Sequence, residues 1–319
     1  LFFPFIFNYF LTKELILKYL KRVIISFINQ LKSNNYNFDF IYSLLKNNFL
    51  DSDNKIILIF ILKIYFIYEE ELKSVNKIDF NDMVNFAIDR VDSLRYFKYS
   101  YIIIDEYQDT SFSKYMLIKK LVQKFNVSIM AVGDDYQSIY SFTGCNLNMF
   151  TKFKKYFDKS KIIKLKYTYR NPSDIVEISK RFVLKNRNQI SKRLKSIKYV
   201  KDSINIVYIN NLEKDFKKII EKLDNILVLG RNNVDLDFLK DKDYNKKIRF
   251  LTVHSSKGLE SDNVIILNVI DDYLGFPNKI KNDDILSLIF SYDYLEEERR
   301  LFYVALTRAK KQVFIFTIR

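Results

Sequence analysis

Two adjacent carboxylates, Asp105 and Glu106, end an aliphatic run in the stretch YIIIDEYQDTS (101–111). Such a run, stopping abruptly at paired acids, reads as a buried parallel strand whose C-terminal end carries chemistry. An Asp at that place can hold Mg²⁺, directly or through water. The Glu beside it can orient or deprotonate an attacking water. Strand ends also carry acids merely to make turns, so the pair alone decides little. The stretch SIMAVGDDYQSIYSFTG (128–144) repeats the pattern: strand, Gly133, two acids, then Gln137, Tyr140 and Phe142. A Gln beyond a strand tip can sense a terminal phosphate, and aromatics two apart can stack on bases. The plainer alternative is a turn and a helix that buries its rings.

Three more stretches have the same character. In LKYTYRNPSDI (165–175), Tyr169 and Arg170 close a strand and Asn171-Pro172-Ser173 open a helix. The Arg can grip a phosphate with two N–H groups and the Tyr can cover an adenine; by itself the stretch is also an ordinary strand-to-helix turn. In FLTVHSSKGLESDNVIIL (250–267) the one histidine, His254, shares a loop with Ser255, Ser256, Lys257 and Gly258, ahead of Glu260. A lone histidine is more often structural, but hydroxyls, a Lys and a Gly together suit phosphate contact. In LEEERRLFYVALTRAKKQVFIF (295–316) acids gather at the dipole-favoured start of a helix. Leu301, Phe302, Val304 and Ala305 give it an apolar face, and Arg308 follows near its end, as a surface cation or an arginine finger.

These residues need a scaffold, and the hydrophobic pattern describes one. Helical periodicity covers 12–32 and 56–75, and Asp79 to Asp82 precede another helix with Met83, Val84, Phe86, Ala87 and Ile88. From residue 99 the pattern changes. Short aliphatic runs at 101–104, 128–132, 162–167, 204–209, 226–229, 248–253, 263–269 and 312–318 alternate with helical segments. That alternation predicts an α/β fold built on mainly parallel sheets. The densely basic segment 180–201 is either a solvated helix and loop or a contact to a phosphate backbone.

The bulk numbers bound the reading. The 319 residues suffice for two domains with sizeable cores. A net charge of +15 points to a polyanion such as nucleic acid, although heavy use of Ile, Lys, Asn, Phe and Tyr also reflects A/T-rich codons. Cys145 is the one cysteine, which excludes a disulfide framework or a cysteine zinc site and suits a reducing cytoplasm. The run 56–68 is too short to span a bilayer and contains Lys63. The apolar residues 1–10 lack a basic leader and a cleavage site, so they are expected to be helix core.

Each motif alone is weak; their order is not. DEYQDT, GDDYQSIYSFTG, YTYRNP, TVHSSKGLE and EERRLFYVALTRA resemble the successive signature motifs of UvrD/Rep-like superfamily 1 DNA helicases. TVHSSKGLESDNVII followed by GFPNKI (275–280), and FVLKNRNQISKRLKS (182–196), read most like helicase IV-like members. The resemblance covers roughly residues 78–319. It implies two RecA-like P-loop NTPase domains facing each other across an ATP site, with single-stranded DNA crossing both.

By the same resemblance Asp105 binds Mg²⁺ and Glu106 activates water. Gln137 contacts the γ-phosphate, Tyr169 stacks on adenine, and Arg170 and Arg308 clamp the γ-phosphate. Gly258 and Glu260 belong to the nucleotide's loop and ribose. Tyr140, Phe142, His254, Ser255 and Lys257 face DNA. The implied activity is ATP-dependent translocation 3′ to 5′ on single-stranded DNA, or on DNA with a 3′ single-stranded tail, in the cytoplasm and without a membrane. Thr143 stands where the family often has Arg, and Ser261 where UvrD-type proteins have Phe. Only about twenty residues lie between Arg231 and Thr252, so the large accessory insertion is expected to be absent and strong unwinding is in question.

A P-loop needs GxxxxGK before Ser or Thr, because glycine amides must wrap the phosphates. None of Gly133, Gly144, Gly230, Gly258 and Gly275 begins that pattern. The chain is therefore expected to be the C-terminal part of a helicase. Residues 1–90 are expected as a helical insertion, 91–160 as the remainder of an incomplete first RecA-like domain, and 161–319 as the second. The competing expectation is an ATP-independent, DNA-binding relic. Intact Glu106, Gln137, Arg170 and Arg308 weigh against it.

Overall fold

Aliphatic runs bounded by polar turns give the strands, and stripes of apolar residues at helical spacing give the helices between them. The computed structural model describes residues 17, 20–36, 38–46, 52–240, 242–244, 247–279 and 293–319. It is mixed α/β with parallel sheets, as the alternation predicts. The expected helical start at 12–16 and the expected helix core at 1–10 lie outside the described residues.

The chain divides into two compact units. The first takes in residues 1–133, 140–150 and 282–292; the second takes in 134–139, 151–281 and 293–319. The hexapeptide 134–139 thus packs with the second unit while both of its flanks belong to the first.

In the first unit, helix α1 runs over 20–33. Helices α2 (Phe38–Lys46), α3 (Ser52–Ser74) and α4 (Phe80–Val91) follow. Val23, Phe27 and Leu31 of α1 bury against Leu58, Ile61 and Leu62 of α3. The expected helix start at Asp79 is a full capping box: the Asp79 carboxylate accepts from the N–H groups of Asn81 and Asp82, and the Asp82 carboxylate accepts from that of Asp79. Strand β1 (Tyr101–Ile104) lies parallel to β2 (Ser128–Ala131), with α5 (Phe112–Phe125) between them in sequence.

β1 departs from the expected fully buried strand. Tyr101 and Ile103 are 73% and 72% exposed, and Met130 and Val132 are exposed on β2 and just after it. Among the described residues this sheet has two strands, so one face of each has no covering layer. The predicted strand 162–167 also shrinks, to β3 (Tyr167–Thr168), because 162–166 find no strand to ladder with among the described residues.

The second unit is built on a five-stranded parallel sheet in the order β5-β9-β8-β6-β7. The strands are β5 (Ile204–Tyr208), β6 (Ile226–Gly230), β7 (Ile248–Thr252), β8 (Ser261–Ile266) and β9 (Ala309–Thr317). β6 is buried along its whole length, as a continuous aliphatic run in a parallel sheet should be. After α6 (Leu147–Thr151) and α7 (Phe153–Tyr156), helix α8 (Ser173–Val183) leads to the short β4 (Lys195–Ser196), which pairs with β3. Helix α9 (Leu212–Ile220) joins β5 to β6, α10 (Val234–Lys240) joins β6 to β7, and α11 (Tyr294–Leu306) precedes β9. The core centres on Phe216, Ile220, Val228, Leu239, Ile265 and Phe316.

Candidate functional site

In the first unit the chemistry starts at the C-terminal end of β1. Asp105 and Glu106 are exposed there. Asp105 Oδ1 accepts the N–H of Glu106 at 2.9 Å, which fixes the carboxylate at the strand tip. Glu106 sits in left-handed backbone at φ 49° and ψ 42°, strain that a non-glycine residue tolerates only where its surroundings hold it. Its side chain is tied to the amide of Gln108. Gly133, just past β2, is what lets the two strand ends meet. A Cβ at that position would come within 2.3 Å of Gln108 Oε1 and 2.8 Å of Phe150, while the Tyr107 N–H reaches Val132 O at 2.9 Å. Tyr140 and Phe142 lie edge to face with centroids 6.0 Å apart, on a segment that α1 holds through Gln30 Nε2 on Ser141 O. Phe142 is exposed and Tyr140 half-buried. An exposed carboxylate pair at a parallel strand end is a suitable donor set for a hard divalent cation. A tighter acidic group, Glu69, Asp79 and Asp82, exists among the described residues, but the Lys32 ammonium sits 2.6 to 2.7 Å from all three and takes the place a cation would need.

The second unit brings more of the expected residues into contact. Arg308, 1% exposed between α11 and β9, donates to Val304 O, to Leu259 O and, through Nη2, to Gln137 Oε1 at 3.1 Å. Lys257 Nζ donates to the backbone carbonyl of Gln137 at 2.9 Å. Gln137 Nε2 donates to Asp134 Oδ2 at 3.1 Å, so its amide is held at both ends. Arg170 Nε pairs with Glu260 at 2.8 Å, and Lys310 Nζ with the other oxygen of Glu260 at 2.5 Å. The Lys310 hydrogen bond first, then the charge of Arg170, holds the Glu260 carboxyl below its usual range. Tyr169, next to Arg170, is 74% exposed and presents its ring outward. Gly258 has φ +80° with open space around it, so the loop's turn needs glycine's backbone and not its small size. Ser255 is exposed and shares a hydroxyl contact of 2.9 Å with Thr252.

His254 is half-buried. Burial first, then the cations Arg231 and Lys257, push its titration down to about 4. The folded value lies below the ordinary 6.5, so the unfolded chain binds the extra proton between the two. Stability from this group is therefore complete above about pH 6.5 and is lost as pH falls towards 4, on the order of 3 kcal/mol. Urea titrations at pH 7 and pH 4.5 check this. His254→Gln is expected to flatten that part of the pH dependence.

Several residues that complete the site were not singled out in the sequence. Lys192 was one lysine among many in the basic segment. It is an internal clamp rather than a backbone contact: its ammonium pairs with both Asp134 and Asp135 and lies 4.1 Å from the Tyr136 ring centroid. Burial works against its charge, yet the two carboxylates raise its pKa above the usual lysine value. Asp135, fully buried, also accepts from Ile190 N–H at 2.7 Å and Gln189 Nε2 at 2.6 Å. Arg300 Nε holds Ser138 O at 2.7 Å. Ser261 and Thr143, the two departures, are accounted for locally. Ser261 Oγ bonds the carbonyl of Asn225 at 2.5 Å in a buried place, and Thr143 Oγ1 bonds Tyr140 O at 2.8 Å.

Parallel sheets whose C-terminal strand ends carry acids in one unit and an Arg, Gln and Glu set in the other define a nucleotide-dependent α/β machine. Comparison with known proteins agrees. The UvrD/REP helicase N-terminal domain matches residues 10–158 and the UvrD-like helicase C-terminal domain matches 228–319. DNA helicase IV of Escherichia coli (strain K12) is 32% identical over 256 residues, 76% of this chain and 37% of that protein. ATP-dependent DNA helicase Rep of Buchnera aphidicola subsp. Acyrthosiphon pisum is 34% identical over 166 residues, 50% of this chain and 26% of that protein. ATP-dependent DNA helicase PcrA of Bacillus subtilis (strain 168) is 33% identical over 137 residues, 41% of this chain and 18% of that protein. The chain belongs to the UvrD/Rep helicase family. It spans 37% of the length of helicase IV. No helix among the described residues is long and apolar enough to cross a membrane.

Proposed function

We propose that this chain carries the strand-binding and charge-clamping parts of an ATP-driven DNA helicase that translocates 3′ to 5′ on single-stranded DNA. The observation that carries this reading is the Arg308–Gln137 contact, beside Lys257 and the Arg170–Glu260 pair. A buried arginine held on a glutamine amide and on backbone carbonyls is a preorganised cation. Arg170 adds a second cation, in a pair exposed enough to exchange partners for phosphate oxygens. Asp105 would hold Mg²⁺, and Glu106 would orient the attacking water. ATP, when bound, supplies the phosphoryl group whose loss drives the motion. Tyr169 offers a ring for the adenine and Glu260 an acceptor for the ribose, with Gly258 keeping that loop open. Tyr140, Phe142, His254, Ser255 and Lys257 would face the strand.

The residues fit the metal and the γ-phosphate better than they fit the rest of the triphosphate, since the sequence holds no GxxxxGK run. The 319-residue polypeptide is accordingly expected to hydrolyse ATP poorly or not at all. DNA-stimulated phosphate release at the rate of an intact helicase would contradict that. Strand binding does not need the missing loop. Tyr140→Ala with Phe142→Ala is expected to weaken binding of a labelled oligo-dT by about tenfold or more, because each stacked base is worth roughly 1–3 kcal/mol. An unchanged affinity removes these two rings from the proposed surface.

A further inference from the structure

β6 and β7 are neighbours in the sheet, with Gly230 level with Thr252, and the N–H of Val253 donates to Gly230 O at 3.0 Å. Arg231 and His254 therefore leave the C-terminal edge of the sheet on adjacent strands. Arg231 is not loose there. Its Nε and Nη2 engage both oxygens of Glu298 on α11, at 2.9, 3.2 and 2.7 Å. The Glu298 side chain is 5% exposed, and it also accepts the N–H of Asn278 at 3.1 Å. A bidentate pair of this kind fixes the plane of the guanidinium as well as its position.

The groups acting on the imidazole come from three directions. Arg231 acts from the end of β6, Lys257 from the histidine's own loop, and the carbonyl of Ile139 hydrogen-bonds the ring. Glu298 reaches this region through Arg231, on which its carboxylate is already engaged. Two cations beside a half-buried ring oppose a third positive charge, and the titration near 4 is the result.

We propose that Arg231, fixed by Glu298, is a positioning residue that keeps His254 an uncharged contact for the bases of single-stranded nucleic acid rather than for its phosphates. A neutral imidazole has no ionic attraction for a phosphate but keeps an aromatic face for stacking on a base. Lys257, in the same loop, supplies the cation for the backbone. This rests on the strand-binding reading above.

The chain has a single histidine, so its imidazole signal in a ¹H–¹³C spectrum needs no assignment. The wild-type signal is expected to hold still from pH 8 to pH 5.5. In Arg231→Met its midpoint is expected to rise by about one unit or more. Because that variant leaves a buried carboxylate unpaired, Arg231→Met with Glu298→Leu is measured beside it, and the same rise is expected. A wild-type midpoint near the ordinary histidine value, or variants that titrate with the wild type, overturns the role of Arg231.

The second readout is the salt dependence of oligo-dT binding. His254→Ala is expected to lower affinity by about tenfold at every salt concentration and to leave the slope of log K against log salt unchanged. Lys257→Met is expected to reduce that slope by about 0.7. A slope that falls in His254→Ala overturns the base assignment. A wild-type chain that binds no single strand overturns the strand-binding reading and the base contact with it, and the imidazole titration then decides the role of Arg231 alone.

Discussion

Lys32→Met is expected to destabilise the first unit by about 3–5 kcal/mol, the usual cost of stranding buried charges by removing their partner. The ammonium is 2.6 Å from Glu69 and 2.7 Å from both Asp79 and Asp82, and the lysine is 4% exposed. Burial alone would depress its pKa, but Asp79, Asp82 and Glu69 raise it well above the ordinary lysine value. The reciprocal effect holds Asp79 below the usual carboxylate range against its own burial. The cluster also ties elements together: Asp79 caps α4 and accepts from the Tyr68 hydroxyl on α3, while the Lys32 carbonyl accepts from Asn85 of α4 and Ser113 of α5. Urea unfolding measures the loss. Because Asp79 is depressed, its share of stability is present above the unfolded carboxylate pKa and disappears as pH falls through the folded value. The cost of Lys32→Met is therefore expected to shrink below pH 4. A cost under about 1 kcal/mol at pH 7 means that the cluster is solvated and does not organise these helices.

Lys192→Met is expected to cost a comparable 3–5 kcal/mol in the second unit, and to release the hexapeptide 134–139. The lysine stands at the head of a polar chain. It pairs with Asp134, Asp134 accepts from Gln137 Nε2, and Gln137 Oε1 accepts from Arg308. Removing the ammonium leaves two adjacent carboxylates, one of them fully buried, without a counter-charge. Lys192→Arg keeps the charge and is expected to recover most of the stability. Amide exchange in the peptide covering 134–139 is the local readout. Protection that persists in Lys192→Met would show that Asp135, through Ile190 and Gln189, holds the segment unaided.

What the sequence revealed and what it concealed divide along a physical line. Local signals were readable. The Asp79 cap, the aliphatic runs of β1, β2 and β5 to β9, and the helix that ends before Arg308 all depend on residues a few positions apart. Sheet order was not readable, because the pairing of β5 with β9 or β6 with β8 leaves no periodic trace in either strand. The two charge clusters were hidden for the same reason. Lys32 meets Glu69, and Lys192 meets Asp134, across separations of 37 and 58 residues. A lysine-rich composition then makes either residue look like one more solvated cation. β1 was misjudged in the opposite sense. Its four apolar residues argue for cover on both faces, and the described residues supply only part of it.

The most direct test of the central claim is the affinity of the 319-residue chain for a fluorescent oligo-dT, followed by anisotropy across a salt series, with duplex DNA and heparin as competitors. The account predicts binding that favours the single strand over both competitors, weakens linearly in log K against log salt, and is lost on removing the Tyr140 and Phe142 rings. Equal competition by heparin, with no response to those two substitutions, would reduce the +15 charge to a surface property and contradict the strand-binding reading.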